Sequence, residues 1–220
     1  MSRDIVILGT GGCAREIQWL LEDNNSARPD AYEWNILGFV EPHPEPGRIV
    51  NDLPVYSDDW LFGQQGICVA AAIGEATRRK RVVEKAKRRN PSLIFPPLVS
   101  RLAMVSSRVE IGEGCIICAG AIVTCNIILH DFAIINLGSV ITHDIEIGAF
   151  SQINPSTNLS GKVKVGDCVQ IGTGAKVIPE VKIGNHAVIG AGAVVIRDVP
   201  EGCTVAGCPA RVIKNTAREG

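Results

Sequence analysis

An aliphatic residue recurs at every sixth position along almost half of this chain. The series runs Val99, Val105, Ile111, Ile117, Val123, Leu129, Ile135, Ile141, Ile147, Ile153, Leu159, Val165, Ile171, Val177, Ile183, Ile189 and Val195, and ends at Glu201. No polar residue interrupts it and no insertion shifts its register. A period of six fits neither an α-helix nor a hairpin strand; it predicts a parallel β-helix built from hexapeptide repeats. Small or branched residues stand two places before many of these slots, among them Ala121, Ala133, Ser139, Ser151, Thr157, Ala175, Ala187 and Ala193. Side chains two apart on a strand share a side, so each face sends one large and one small residue into a narrow interior. Gly112, Gly148, Gly166, Gly172, Gly184 and Gly190 directly follow the aliphatic slot, as do Asn136 and Asn154. These residue types tolerate positive φ, and the expectation is a tight corner at that place.

Three hexapeptides make one triangular coil, so residues eighteen apart stack about 4.8 Å from each other on adjacent coils. The sequence can then be read in columns. Asn136, Asn154, Gly172 and Gly190 form one corner column; Cys125, His143, Gly161 and Pro179 form another; Thr173 and Ala191 share a third.

Ahead of the repeats, residues 1–90 alternate strand and helix patterns. Asp4–Leu8, Trp34–Val40 and Gly66–Ile73 read as strands, Glu16–Leu21 begins a helix, and Ile49–Val55 is an apolar–turn–apolar segment. The expectation is a small Rossmann-like α/β domain of three or four strands. Residues 91–198 form the β-helix domain, and residues 199–220 a closing segment and tail. The formal net charge of −1 offers no electrostatic case for nucleic acid. The one basic cluster, Arg78 to Arg81 with Lys85, Lys87, Arg88 and Arg89, reads as the solvated face of a helix. There is no apolar run long enough to span a membrane and no signal peptide pattern, so no membrane insertion is expected. Eight cysteines fall mostly where small apolar residues belong; reduced thiols in cytoplasm fit better than zinc or disulfides.

Two places carry candidate chemistry. Gly9-Thr-Gly11-Gly12-Cys13 follows a strand and precedes a helix, as a phosphate-cradling turn does, though it does not complete G-x-G-x-x-G. A tight turn without a ligand is the alternative. Among the four histidines, His43, His130, His143 and His186, His143 projects from a corner two places after Ile141 with Asp144 directly following; His130, though followed by Asp131, shows no acid partner of clear use. A carboxylate beside an imidazole raises its basicity and fixes its orientation, as a general base requires. Spacing alone leaves a solvated corner histidine equally open.

At these residues the chain resembles the sialic-acid and bacterial-sugar acetyltransferases with a left-handed β-helix, including enzymes that N-acetylate nucleotide-linked 4-amino sugars. The resemblance rests on Gly9–Arg15, Gly38-Phe39-Val40-Glu41, Ala72-Ile73-Gly74, Ile134-Ile135-Asn136, Thr142-His143-Asp144, Gly172-x-Gly174-Ala175, Ile189–Val195 and Gly207-Cys208-Pro209-Ala210-Arg211. It implies the left hand of the coil, against the usual crossover preference. It also implies a cytoplasmic homotrimer with active sites in the grooves between β-helices, acetyl-CoA as co-substrate and no metal. Carried over, His143 is the base and Asp144 tunes it; Asn136 holds the acceptor. The Gly161 N–H faces the oxyanion, Thr173 and Ala191 line acetyl-CoA, and Gln152 reaches it through its amide. Gly11, Gly12, Cys13, Glu41, Pro42 and Gly74 hold the sugar nucleotide. Cys13 stands where a histidine is common, Glu41-Pro42 where an acidic pair is usual, and Gln152 where some members carry a second histidine. The implied reaction is acetyl transfer to the amine of a nucleotide-linked amino sugar. O-acetylation of sialic acid or another surface sugar is the enzymatic alternative, and a non-catalytic sugar-nucleotide-binding scaffold is the alternative of another class.

Overall fold

The computed structural model of the protein describes residues 3–26 and 34–215. They form two compact units, one ending at Pro96 and one beginning at Pro97. In the first, Ile5–Leu8 are buried within β1 (Arg3–Leu8), as a continuous apolar run in a parallel sheet should be. The chain continues through α1 (Gly12–Ser26), β2 (Trp34–Glu41), β3 (Ile49–Val50), β4 (Leu53–Ser57), α2 (Asp58–Phe62), β5 (Cys68–Ala70) and α3 (Ala76–Arg89). The sheet order is β3-β4-β2-β1-β5, and every pairing but β3–β4 is parallel. The two neighbours of β1 lie to opposite sides, so its carboxyl end is a topological switch point where a crevice opens.

Several details differ from the sequence reading. The sheet has five strands, because Asn51 and Asp52 at φ 44° and 64° close a two-residue hairpin that adds β3. Helix α1 starts at Gly12, inside the glycine-rich loop, not at Glu16. Helix α2 was not expected; Ser57 caps it, its hydroxyl accepting from the Trp60 N–H at 3.2 Å. The first unit also extends beyond residue 90, because Ile94 pairs with Cys68 and accepts from the Val69 N–H at 2.8 Å.

The second unit is a parallel β-helix with three faces. Its first face includes residues 116–117, 134–135, 152–153, 170–171 and 188–189; its second, 122–123, 140–141, 158–159, 176–177 and 194–195. The third face includes 127–129, 146–147, 164–165 and 182–183. Stacked partners are eighteen apart: Ile117 with Ile135, Ile141 with Leu159, Ile147 with Val165. The aliphatic slots from Ile117 to Val195 fill the interior together with Cys115 and the small residues two places before the slots. The coil does not end with the aliphatic series. Cys203–Ala206 pairs in parallel with Val188–Ile189, burying Cys203 and Val205, and Arg211–Asn215 returns antiparallel along its edge. No helix among the described residues is long and apolar enough to cross a membrane.

The expected left-handed backbone directly after each slot is not there. Positive φ falls three places after the slot, at every corner from Gly114 and Gly120 through Asn126, Phe132, Gly138 and Asp144 to His186 and Gly192. Phe132 and Phe150 occupy two of these corners and stack at 4.9 Å. The glycines after the slots answer a different constraint. A Cβ on Gly148 would lie 2.4 Å from the backbone of Gly166, and one on Gly172 would lie 2.5 Å from the Ala191 nitrogen. Adjacent coils approach too closely there for any side chain. Gly174, by contrast, has φ +71° and open space around its missing Cβ. Gly148→Ala should therefore destabilise the β-helix by more than about 3 kcal/mol through overpacking, and Gly174→Ala by about 1 kcal/mol through backbone strain. Denaturant unfolding of both variants checks this, and equal losses would contradict the distinction.

Candidate active site

Two clusters of functional residues stand in the structure, one in each unit. In the β-helix, His143, Asp144 and Gly161 lie on the edge where the second face turns into the third. Asp144 takes the left-handed corner position at φ 59°, a conformation that aspartate tolerates through its short polar side chain. Its carboxylate reaches back to His143, with Oδ2 2.8 Å from the ring Nδ1. The other oxygen, Oδ1, accepts from Asn126 Nδ2 at 2.9 Å. These bonds to Asn126 and then His143 hold the Asp144 carboxyl below its usual range. The imidazole lies over Gly161 of the next coil: a Cβ there would sit 2.5 Å from Cε1 and 2.7 Å from Nε2. Gly161 thus gives the ring its room. With Nδ1 engaged by Asp144, Nε2 is the nitrogen left to take a proton.

A second histidine pair, which the sequence reading missed, sharpens the contrast. His130 does have an acid partner: its Nε2 is 2.9 Å from Glu146 Oε1, sixteen residues away. Asp131, its neighbour in sequence, accepts instead from the Glu113 N–H at 2.9 Å. In this pair the distal nitrogen is the one occupied, which leaves only the ring nitrogen nearest the backbone. His143 has the opposite arrangement, its proximal nitrogen engaged by Asp144.

Apart from Asp144 and Gly161, the residues expected to accompany His143 are not beside it within one chain. Asn136, Thr173 and Ala191 lie on a different edge, where the first face turns into the second. Asn136 is largely buried and its Oδ1 accepts from the Leu137 N–H at 2.8 Å. Gln152 is 2% exposed on the first face, and its amide donates to Asn154 Oδ1 at 3.3 Å. The structure does not bring Gln152 to His143.

In the first unit, a cavity of about 560 Å³ opens at the switch point. Gly11, Gly12 and Cys13 line it from the loop and first turn of α1, Glu41 and Pro42 from the end of β2, and Gly74 from the turn after β5. The cavity thus brings together all six residues picked out in this domain. Its size is that of a small-molecule site. A Cβ on Gly11 or Gly12 would meet nothing of this chain, so their bareness leaves the α1 backbone open to approach from the cavity. The first turn of α1 holds no acid, and its unpaired N–H groups present partial positive charge. Glu41 accepts from the Thr10 hydroxyl at 2.9 Å and pairs with Arg48.

Helix α3 is a solvated basic face at Arg78, Arg81, Lys85, Arg88 and Arg89, which are exposed, and departs from that reading at Arg79. Arg78 and Lys85 line the cavity, and Lys85 pairs with Asp58 at 2.6 Å. Arg79 is fully buried, its guanidinium donating to the Ile73 carbonyl at 2.6 Å, which holds the turn carrying Gly74. A basic residue at a helix-interior position facing the sheet was the available signal, hidden by its equally basic neighbours. Glu75 caps this helix, accepting from the Thr77 and Arg78 N–H groups.

None of the eight cysteines forms a disulfide. Burial, opposed by the nearby Arg79 charge and assisted by Glu16, pushes the Cys13 thiol up to about 11. Cys208 is exposed. At pH 7.5 iodoacetamide should alkylate Cys208 well before Cys13, because the thiolate is the nucleophile. Peptide mass mapping over time reads the order, and faster labelling of Cys13 would contradict the upward push on its thiol.

Residues 4–86 match the model of the PglD N-terminal domain, and residues 162–197 that of the six-repeat bacterial transferase hexapeptide. No curated protein sequence matches the chain. Among solved structures, PerB from Caulobacter crescentus, bound to CoA and GDP-perosamine, is 31% identical over 96% of this chain and 97% of that one, with TM-score 0.80. The acetyltransferase domain of PglB from Neisseria gonorrhoeae, in complex with acetyl coenzyme A, is 30% identical over 97% of this chain and 100% of that one, with TM-score 0.82. WeeI from Acinetobacter baumannii, 23% identical over 97% of this chain and 100% of that one at TM-score 0.67, shares the fold.

Proposed function

The chain belongs to the left-handed β-helix, hexapeptide-repeat family of sugar acetyltransferases, and on that premise we propose that it moves the acetyl group of acetyl-CoA to the amine of a nucleotide-linked amino sugar, with His143 as general base. The observation that carries this reading is the His143–Asp144 pair, with Nδ1 held at 2.8 Å and Nε2 unengaged above Gly161. Nε2 takes the proton from the acceptor nitrogen as that nitrogen attacks the thioester carbonyl. The imidazolium that forms is stabilised by the Asp144 carboxylate. The tetrahedral intermediate carries its negative charge on the former carbonyl oxygen, and the Gly161 N–H faces that charge. Collapse restores the carbonyl and expels the CoA thiolate. No side chain is acylated and no metal takes part.

Both likenesses at 30% identity or more bear on the substrates. PerB is bound to CoA and GDP-perosamine, and the PglB domain to acetyl coenzyme A. The cavity at the β1 switch point is the nucleotide site of this reading: the α1 N-terminus and Arg78 face the phosphates, and Glu41 faces a ribose hydroxyl. Asn136 holds the acceptor, while Thr173, Ala191 and Gln152 border acetyl-CoA. Asn136, Thr173 and Ala191 occupy another edge of the prism from His143, so a working site takes one edge from each of two chains. A cyclic homotrimer supplies three such grooves. Acetyl-CoA and nucleotide sugars place the reaction in the cytoplasm.

Release of CoA thiol from acetyl-CoA, measured against UDP-, dTDP-, GDP- and CMP-linked sugars that include 4-amino sugars, tests the reaction. Turnover is expected with a nucleotide-linked amino sugar and should fall at least about 100-fold in His143→Ala with assembly intact. Release only with free or CMP-linked sialic acid would replace the amine with a hydroxyl acceptor. Binding of nucleotide sugar without any release would turn the protein into a binding scaffold. The shared groove has its own test, in mixed assemblies of His143→Ala and Asn136→Ala chains. Random mixing should restore about a quarter of the sites in a cyclic trimer, and no recovery would place the site within one chain.

A further inference from the structure

Asp144 and His143 face solvent, with side chains 43% and 56% exposed. An exposed ion pair gains little and pays side-chain entropy to keep one geometry. Burial therefore does not hold this carboxylate in the rotamer that the histidine needs. The column of corner residues supplies the missing constraint. Asn126 lies eighteen residues before Asp144, directly next to it on the adjacent coil, and donates from Nδ2 to Asp144 Oδ1 at 2.9 Å. We propose that Asn126 is a positioning residue of the transfer, holding one oxygen of Asp144 so that the other is aimed at His143 Nδ1. This rests on the reading of His143 as the base.

Three features favour asparagine in that role. Asn126 and Asp144 both occupy the left-handed region, at φ 55° and 59°, so their side chains leave successive corners in the same direction. The amide also donates without charge. An ammonium or guanidinium in its place would tether Asp144 equally well, but would cancel the negative field that favours the imidazolium. Finally, the cation one coil further on is already committed: Lys162 pairs with Glu180 at 3.3 Å. The low protonation tendency of Asp144, for which the Asn126 bond is the foremost cause, agrees with this division of labour.

The groups around the imidazole are few. Asp144 bonds it, Lys162 and Glu180 follow in the same corner column, and Arg108 precedes Asn126. Cys125 and Gly161 flank His143 in its own column. Replacement of Asn126 by glycine or aspartate keeps the left-handed corner, since both residues tolerate it. The experiment measures kcat, KM for acetyl-CoA and the pH profile of kcat for Asn126→Gly and Asn126→Asp, together with NMR titration of the His143 ring, which does not depend on turnover. Asn126→Gly should lower kcat about tenfold with KM for acetyl-CoA within about twofold, the pattern of a lost transition-state interaction. Asn126→Asp should move the acid limb of kcat and the ring titration together toward higher pH, by up to about one unit, because a second carboxylate favours the imidazolium. Asn126→Gly adds no charge, so it separates positioning from simple proximity: a merely structural asparagine would leave its kcat and ring titration at wild-type values. Wild-type kcat and an unmoved titration in Asn126→Gly, with His143→Ala inactive, would overturn the positioning role and leave the general-base reading standing. Full activity in His143→Ala would instead remove the base, and the role of Asn126 with it.

Discussion

Backbone hydrogen bonds between adjacent coils, which put residues eighteen apart side by side, govern everything in the β-helix. Each coil hands its N–H groups to the carbonyls of the coil beside it, so the corners are locked in register as firmly as the strands. That lock converts positions in sequence into columns in space. It also sets how near two coils come, and after some of the aliphatic slots the approach is close enough to exclude a Cβ, as at Gly148, Gly166 and Gly172. Backbone spacing comes first in this unit and side chains adapt to it.

The candidate site grows from the same lattice. His143 can lie flat on the edge because the residue stacked beside it is Gly161, and Asp144 can turn back to the ring because the corner bends its backbone into the left-handed region. The contrast with His130 depends on the same geometry. Glu146 approaches that histidine from a strand on the third face and reaches its distal nitrogen. Asp144 follows His143 directly and reaches the proximal one. Two pairs of the same chemistry therefore differ in which ring nitrogen the carboxylate engages.

The first unit reaches its cavity by an unrelated route. Parallel strands diverge on either side of β1, and loops at their carboxyl ends converge on the gap. Buried Arg79 ties down the turn after β5, while Arg78 beside it in sequence faces the cavity. Neighbouring residues of one basic run thus serve opposite environments, as successive positions on a helix must. The six-residue series and the strand–loop–helix order made both architectures readable in advance. The shift of the positive-φ corner away from the slot was not, because close packing and left-handed backbone select the same residue, glycine, for different reasons.

The sequence by itself determined the β-helix, its columns, the choice of His143 with Asp144, and the loop residues at the β1 switch point. The β-helix and its columns follow from period, which a linear chain displays, while the choice of His143 and of the loop residues came from the resemblance to a known family. Only the tertiary structure decided which ring nitrogen each histidine spends, that Asn126 steadies Asp144, that Arg79 is buried, and that Asn136 and His143 occupy different edges of one prism. These depend on side-chain direction and on which corner a residue turns, and neither is a property of spacing along the chain.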